Sequence, residues 1–251
     1  MEALYMSFSA RYKFLFLLTI ISVVFFACRE NSSVNIKKNE KVVTIVKTKM
    51  PVDYLYYETT KKHVHAKRDQ VASNFRRKEL NLAGVETQFV KLLTDSIFPY
   101  WYGTTWDFNG ITETPGQGTI ACGYFVSTTL QHMGVKLNRY KIAQMASQQI
   151  ISSLITVNPK RTFSNVKIED FVAYVQRQGF GIYIVGLDNH VGFLYHDGTT
   201  VYFIHSKYYN PSAVVKELAL SSGILGGSAY KVVAKLSSDP TFLKRWLIGN
   251  K

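Results

Sequence analysis

A chain of 251 residues, of which 47% are hydrophobic and 14% aromatic, can bury one good core and at most two small ones. This composition excludes a disordered or fibrous protein. The 30 basic residues exceed the 17 acidic ones, and the net charge of +13 predicts attraction to nucleic acid, an anionic membrane surface or an acidic wall polymer. Nucleic acid is not expected as a partner, because no helix-turn-helix pattern, zinc-ligand cluster or aromatic RNA-binding signature accompanies the basic residues.

The N-terminus has the pattern of an export signal. Arg11 and Lys13 precede an apolar run over residues 14–27, which is shorter than the roughly 20 residues that span a bilayer. The run ends directly at Cys28, and this ending resembles a bacterial lipoprotein signal, in which the cysteine becomes the lipidated first residue. We therefore predict a signal peptide over residues 1–27 and a membrane anchor through lipid on Cys28. A simple secretory signal or an uncleaved anchor is the alternative.

Lipidation of Cys28 would leave Cys122 without a partner, because the chain has two cysteines. Exported proteins usually pair their cysteines in disulfides. A lone thiol in an oxidising compartment is explained either by its reactivity or by its burial as a small apolar side chain. The cysteine count alone does not choose between the two.

The segment before the folded domain is polar and then basic. Residues 28–40 are rich in Asn, Ser and Lys and predict a tether. Residues 41–79 form a basic extension, in which short strand-like runs, one of them at residues 53–57, precede a concentration of Lys and Arg over residues 61–78. These basic residues form either a face for an anionic membrane or wall polymer or a solvated helix face, and we favour the solvated face. Two histidines of this segment do not make a metal site, so no metal or cofactor is expected.

Helices are predicted next along the chain. Apolar residues recur at helical spacing over residues 80–97, and Pro99 is expected to end that helix. Residues 99–110 are dense in aromatic and small residues, which suit either the wall of a ligand groove or a loop packed in the core. Further helices are predicted over residues 119–133, 138–154 and 166–178.

Cys122 lies in the first turn of the helix predicted over residues 119–133. A glycine-flanked loop leads into this helix, and Gly134 is placed to terminate it. Free backbone N–H groups and the positive end of the helix dipole favour an anion at this position, so we expect the pKa of the thiol to be lowered. His132, near the other end of the helix, is expected to be exposed.

The C-terminal third changes to the period of β-strands. Strands are predicted over residues 181–187, 190–196, 201–206 and 229–236, and an amphipathic helix over residues 240–248. Helices followed by an antiparallel meander define the α+β class. The sequence shows neither an internal repeat nor a second domain, and the folded domain is expected to cover residues 80–251.

Asp197 and Gly198 lie between two alternating apolar runs, which is the strongest short signal for a β-hairpin. A two-residue turn there would place His190 opposite His205, with Cβ atoms roughly 4.5–5.5 Å apart on one face of the sheet. A cysteine nucleophile needs a base within hydrogen-bond reach and a third group to orient that base. These residues therefore predict Cys122 as nucleophile, His190 as base and His205 as the orienting residue. Two unrelated histidines on a strand pair are the alternative.

Three stretches of the sequence resemble the NlpC-type cell-wall cysteine peptidases, which are papain-like enzymes. They are PYWYG at residues 99–103, the cysteine segment at residues 118–125, and HVGFLYHDGTTVYFIHS at residues 190–206. The cysteine segment matches in part, because the family usually has Asp before the cysteine and Ser-Gly after it, whereas alanine precedes and glycine follows it here. The histidine segment is similar over its whole length.

The resemblance implies a papain-like fold, in which the helix that carries the cysteine packs on an antiparallel sheet that carries histidine and a third polar residue. It implies the same three catalytic residues as above, and it places Tyr100 near the nucleophile, where it would help to bind the substrate amine or the oxyanion. The backbone N–H of Cys122 would be one oxyanion donor. Trp106 and Asp107 are predicted to line the groove from their proximity alone.

The resemblance also implies a function, since members of the family cleave amide bonds in peptidoglycan stem peptides. The chain is therefore expected to be an exported, lipid-anchored cysteine peptidase of the cell envelope that acts on the cell wall. An N-acetylmuramoyl-L-alanine amidase of the same fold is one alternative, and acyl transfer to an amine instead of water is another, because both use the same acyl-enzyme. A non-catalytic lipoprotein that binds the wall is the third.

Overall fold

A computed structural model describes residues 54–249. These residues form α-helices and a six-stranded antiparallel sheet, so the predicted α+β class is confirmed. The signal peptide, the tether with Cys28, and residues 41–53 of the basic extension lie outside the described residues.

Most predicted elements are present with small changes in their bounds, but the helix predicted over residues 138–154 is divided into two helices. The helices are α1 (Tyr54–Arg76), α2 (Leu82–Leu92), α3 (Phe98–Trp101), α4 (Cys122–His132), α5 (Arg139–Ala143), α6 (Ser147–Leu154), α7 (Ile168–Arg177), α8 (Gly223–Gly227) and α9 (Pro240–Ile248). The strands are β1 (Arg161–Ser164), β2 (Gly181–Leu187), β3 (Val191–His196), β4 (Val201–Ser206), β5 (Val214–Leu218) and β6 (Tyr230–Lys235). Their order in the sheet is β1-β6-β2-β3-β4-β5. The sequence did not predict β1, β5 or α8.

The strand predicted at residues 53–57 is wrong, because residues 54–57 form the start of α1. Tyr57, Val64 and Val71 recur every seven residues along α1 and are buried, so one stripe of the helix packs on the rest of the fold. Most basic residues of α1 are exposed, as a solvated helix face requires. Arg68 is an exception, since its buried guanidinium donates to a backbone carbonyl just after α4 at 3.2 Å.

The helix predicted over residues 80–97 is confirmed, but Pro99 does not end it. A π-helical turn, Leu93–Ile97, follows α2, and α3 begins directly after it with Pro99 in its first turn. Proline is tolerated there because the N–H groups of a first helical turn have no acceptor within the helix. The aromatic side chains of α3 are consequently carried into the core.

The sheet separates two apolar cores. Along β2, Ile182 and Ile184 join a large core formed with α1 to α6 and α9, whereas Tyr183 and Val185 join a smaller core formed with α7 and α8. The central helix of the large core is α4, in which Phe125 has no exposed surface and its ring packs on a phenylalanine of β3. This packing fixes the N-terminus of α4 beside the start of β3.

His132, at the end of α4, is buried, and its predicted exposure is therefore wrong. Its Nδ1 atom lies 2.8 Å from the hydroxyl oxygen of Tyr57 in α1. Burial lowers the pKa of His132 to about 3, so the ring is neutral and serves as a hydrogen-bonded core residue.

The hairpin of β3 and β4 has a longer loop than the sequence predicted. His196 faces Val201, so residues 197–200 form a four-residue loop in place of the two-residue turn. The carboxylate of Asp197 accepts the backbone N–H groups of the two threonines in the loop at 2.9 and 2.8 Å. These side-chain to backbone bonds stabilise the longer loop.

Candidate active site

Cys122 lies in the first turn of α4, as predicted, although the helix begins at Cys122 itself and not at residue 119. The loop before it is tied to the sheet, because the hydroxyl of Ser206 in β4 donates to the carbonyl of Ile120 at 2.7 Å. Burial raises the pKa of the Cys122 thiol above its ordinary value, although backbone N–H groups of Val191 and Gly123 act in the opposite direction. The lowered thiol pKa expected from the helix start is therefore wrong. At neutral pH the sulfur carries its proton and needs a base to remove it.

His190 and His205 are brought together, but through a register that differs from the predicted one. In the observed pairing of β3 with β4, the residue that faces His205 is Gly192, and His190 lies two residues before it on the same side. A Cβ atom at Gly192 would come within 2.8 Å of the Cβ of His205. The glycine therefore leaves space for the two rings to meet, and Nε2 of His190 lies 2.8 Å from Nδ1 of His205.

The series of hydrogen-bonded side chains continues from His205 to Glu217 and then to Lys207. The sequence did not predict that Glu217 and Lys207 belong to the site. Nε2 of His205 lies 3.2 Å from Oε1 of Glu217, and the Lys207 ammonium donates to Oε2 of Glu217 at 3.0 Å. These four side chains, which we call the relay, are those of His190, His205, Glu217 and Lys207, and all of them are buried. Glu217 belongs to β5, whose apolar alternation is interrupted by charge. Had this run been assigned as a strand paired with β4, Glu217 would have fallen on the same face as His205.

The carboxyl group of Glu217 is ionised and gives the relay a permanent negative charge. Burial opposes ionisation of the Glu217 carboxyl, but hydrogen bonds from His205, Ser222 and Lys207 outweigh burial and lower its pKa to about 2. Glu217 is an anion at neutral pH and can only accept hydrogen bonds. Burial lowers the pKa of His205, and it holds the pKa of His190 well below the ordinary value. Both imidazoles are therefore neutral.

Two neutral histidines in this relay have one consistent pair of tautomers, which follows from the hydrogen-bond network. His205 must carry its proton on Nε2 to donate to Glu217, which leaves its Nδ1 as an acceptor. His190 must then carry its proton on Nε2 to donate to His205, which leaves its own Nδ1 as a lone pair. That Nδ1 atom is buried and has no hydrogen-bond partner within residues 54–249. The relay therefore presents a free base at Nδ1 of His190.

Cys122 and His190 lie beside the same cavities. Cys122 and His190 both line a cavity of about 470 Å³ and a neighbouring one of about 240 Å³. Aromatic, apolar and amide-bearing side chains form the other walls of the larger cavity, among them Trp106, Phe108, Asn109, Tyr124, Asn189 and Tyr208. A nucleophile, a base and a groove are thus assembled in one place.

Of the three substrate-binding residues predicted from the sequence, one lines the larger cavity and two do not. Trp106 lines the larger cavity. Asp107 is exposed beside it, and its carboxylate accepts the backbone N–H of Asn109 at 2.8 Å, so it shapes the turn next to the cavity. Tyr100 is buried in α3, and its hydroxyl lies 3.0 Å from that of Thr60 in α1. The structure therefore brings Trp106 to the cavity and does not bring Asp107 or Tyr100.

Arg139 holds one wall of the larger cavity. Its guanidinium donates to the hydroxyl of Thr128 in α4 at 2.7 Å and to the carbonyl of Thr112 in the loop before Cys122 at 3.1 Å. It also lies 4.8 Å from the ring centroid of Tyr124 and forms an ion pair with Glu113 at 3.2 Å. These partners hold the guanidinium of Arg139, which does not itself line the cavity.

Within residues 54–249, no group of three or more His, Cys, Asp and Glu side chains is placed to hold a metal ion. Comparison of the chain with protein-family models, with curated proteins and with solved structures finds no match. What the protein does must therefore be inferred from the chemistry of the site.

Proposed function

We propose that the protein is a cysteine hydrolase of the NlpC type, with a papain-like arrangement of helix and sheet, that cleaves amide bonds in peptidoglycan stem peptides. The observation that carries the proposal is that His190, whose Nδ1 atom is buried and has no hydrogen-bond partner among the described residues, lines the same cavity as Cys122. A buried nitrogen without a partner does not by itself mark a site, since Nδ1 of His196 is in the same state among the described residues. His196, however, does not line the cavity that holds Cys122.

In the proposed reaction, Nδ1 of His190 takes the thiol proton as the sulfur of Cys122 attacks the carbonyl carbon of the amide. A C–S bond forms, and the backbone N–H of Cys122 at the start of α4 donates to the oxyanion. Collapse of this intermediate breaks the C–N bond, and His190 passes its proton to the leaving amine. Water then attacks the carbonyl carbon of the thioester, and His190 takes a proton from the water. The C–S bond breaks, His190 returns the proton to the sulfur, and the acid is released.

The remaining residues of the relay act through His190. When its ring is protonated, the relay still donates in one direction, from His190 to His205 and from His205 to Glu217, so the carboxylate stabilises the positive charge. Lys207 holds that carboxylate in place. Because burial lowers the pKa of His190, its protonated form is a strong acid and readily protonates the leaving amine.

The proposal includes export and anchoring at the cell envelope through lipid on Cys28. These steps concern residues outside the described part of the chain and rest on the sequence pattern of residues 1–28. Between residues 54 and 249, no helix has the length and apolar character needed to cross a membrane.

Digestion of purified peptidoglycan tests the proposed reaction. The wild-type protein should generate new amino and carboxyl termini, identified by mass spectrometry, and the Cys122→Ala variant should generate none. His63→Ala is the matched control, since this histidine is exposed on α1 and should be dispensable. Binding to the wall without any product from several wall types would instead support the non-catalytic alternative.

The pH dependence of hydrolysis tests the role of His190. The base works only when its ring is neutral, and burial holds the pKa of His190 well below the ordinary value of 6.5. We expect kcat/KM to stay flat as the pH falls through 6.5 and to decline only when the pH passes the lowered pKa. Rates measured from about pH 4 to about pH 9, with a parallel check of folding, would contradict this role if the acid limb were centred at or above 6.5.

A further inference from the structure

We infer that the groove between α1 and α9 binds a fatty acid of medium chain length, with the carboxylate at Arg76 and Lys244 and the alkyl chain on an apolar floor. The groove contains a cavity of about 570 Å³, and small-molecule sites typically have volumes of about 300–1,000 Å³. Neither Cys122 nor His190 lines this cavity, so the inference is independent of the proposed hydrolysis.

Apolar side chains of the two helices form the floor of the groove. Ala72 and Phe75 of α1 and Leu247 of α9 line the cavity. Ile248, at the end of α9, also lines it and is 66% exposed. Apolar surface in contact with water is stabilised when an apolar ligand covers it. The floor therefore suits an alkyl chain.

Two cationic side chains lie beside this floor. Arg76 of α1 and Lys244 of α9 both line the cavity and are exposed. Neither forms an ion pair or a hydrogen bond within residues 54–249. Asp69 also lines the cavity, but its carboxylate accepts from the guanidinium of buried Arg68 at 2.8 Å. The groove thus has an excess of positive charge, and charge complementarity favours a ligand with an anionic group.

The charge of the groove disfavours the preceding segment of the chain as its occupant. Residues 41–53 contain an apolar run, VVTIV at residues 42–46. Three lysines, Lys41, Lys47 and Lys49, flank this run. Docking of the run would bring these lysines towards the cations of the groove, and like charges repel each other. An anionic ligand from outside the chain fits the groove better.

The length of the groove favours a small molecule. The lining residues of α1 extend from Asp69 to Arg76, a distance of about 10 Å, and those of α9 extend from Lys244 to Ile248, about 6 Å. A docked helix needs apolar anchors over about two turns, and α9 provides about one. A polymer of phosphates would pair with the cations but would leave the apolar floor uncovered. A carboxylate with one alkyl chain of medium length matches both the cations and the floor.

Calorimetric titration with a chain-length series tests the site. The full chain carries Cys28→Ser, which removes the predicted lipid site, and the probes are butanoate, octanoate and decanoate below the concentrations at which they form micelles. Each methylene that the floor buries should tighten binding roughly two- to fourfold. Decyltrimethylammonium has the same alkyl chain length and a positive charge, and it should bind roughly tenfold more weakly than decanoate or worse. An affinity that does not rise with chain length, or equal affinity for the two ten-carbon probes, overturns the site.

Charge variants locate the binding of decanoate in the groove. Arg76→Glu combined with Lys244→Glu should weaken it roughly tenfold or more, and both residues are exposed, so the protein should fold. The matched control is Lys62→Glu combined with Lys67→Glu, which makes the same charge change on exposed residues of α1 that do not line the cavity. Ile248→Ser should weaken decanoate and leave butanoate unchanged. Equal losses of affinity in the two double variants overturn the site.

Vesicles distinguish a free fatty acid from a membrane lipid. Binding to phosphatidylglycerol vesicles that depends on Arg76 and Lys244, without binding of decanoate, would make the groove a membrane-contacting surface and overturn the fatty-acid site. Cys122→Ala should bind decanoate with the wild-type affinity, because Cys122 does not line this cavity. Failure of peptidoglycan hydrolysis would therefore leave the fatty-acid site intact, and failure of decanoate binding would leave the hydrolase intact.

Discussion

Replacing His190 with alanine should reduce amide hydrolysis as severely as replacing Cys122, by roughly 10⁴-fold or more in kcat, and the double variant should be no worse than either single variant. The reason is the protonation state of the resting site. Burial raises the pKa of the thiol, so the sulfur is not a nucleophile until the base removes its proton. The two side chains act as one unit, and the loss of either one removes the function of both.

His196→Ala is the matched control for this series. His196 is a buried histidine of β3 whose Nδ1 atom, like that of His190, has no hydrogen-bond partner within residues 54–249, and no hydrogen bond joins it to the relay. Its loss should lower the melting temperature about as much as the loss of His190 while leaving kcat within a few-fold of the wild type. Measured kcat values should be compared only among variants that unfold cooperatively. If His190→Ala retained more than about a tenth of the activity, another group would have to deprotonate Cys122.

The pH profile gives this prediction a second readout. Without its base, the His190→Ala variant depends on spontaneous ionisation of Cys122, whose pKa burial raises above the ordinary value of 9.0. The residual rate should therefore climb with pH into the alkaline range, whereas the wild-type rate should stay flat there. A residual rate that does not change with pH would show that the remaining activity does not use the Cys122 thiolate.

The histidine pair could be predicted from the sequence even though the hairpin loop could not. The four-residue loop moves the residue opposite His205 from the predicted His190 to Gly192, which is a shift of two positions. Because side chains alternate between the faces of a strand, a shift of two leaves both histidines on the same face. The missing side chain at Gly192 then lets the rings meet diagonally. A shift of one position would have separated them.

Other features of the site depend on contacts that no local pattern encodes. Glu217 enters the relay only because β5 pairs with β4, and the charged residues of β5 hide the alternation that marks a strand. The position of Cys122 at a helix start could be predicted, since caps and periodicity are local. The pKa of its thiol could not, because burial by the surrounding tertiary structure raises it while the nearby N–H groups lower it.

Glu217→Gln should reduce kcat/KM by roughly 10³-fold, although glutamine has nearly the same size and shape. The Lys207 ammonium needs an acceptor and so keeps the oxygen of the carboxamide, which leaves the amide NH2 facing Nε2 of His205 as a donor. His205 would then carry its proton on Nδ1 and donate to Nε2 of His190, which forces the proton of His190 onto Nδ1. The variant thus blocks the lone pair that should receive the thiol proton, while Cys122 and His190 themselves remain in place.

Two measurements separate this tautomer effect from a loss of stability. Glu217→Gln also leaves the Lys207 ammonium buried without its carboxylate partner, so the variant should be less stable. Rates should therefore be compared at a temperature well below the melting temperature of the variant, where both proteins are folded. Nitrogen-15 NMR of His190 should show the proton on Nε2 in the wild type and on Nδ1 in Glu217→Gln. A wild-type rate in the variant, or a proton that stays on Nε2, would contradict the role of Glu217 as the residue that positions the base.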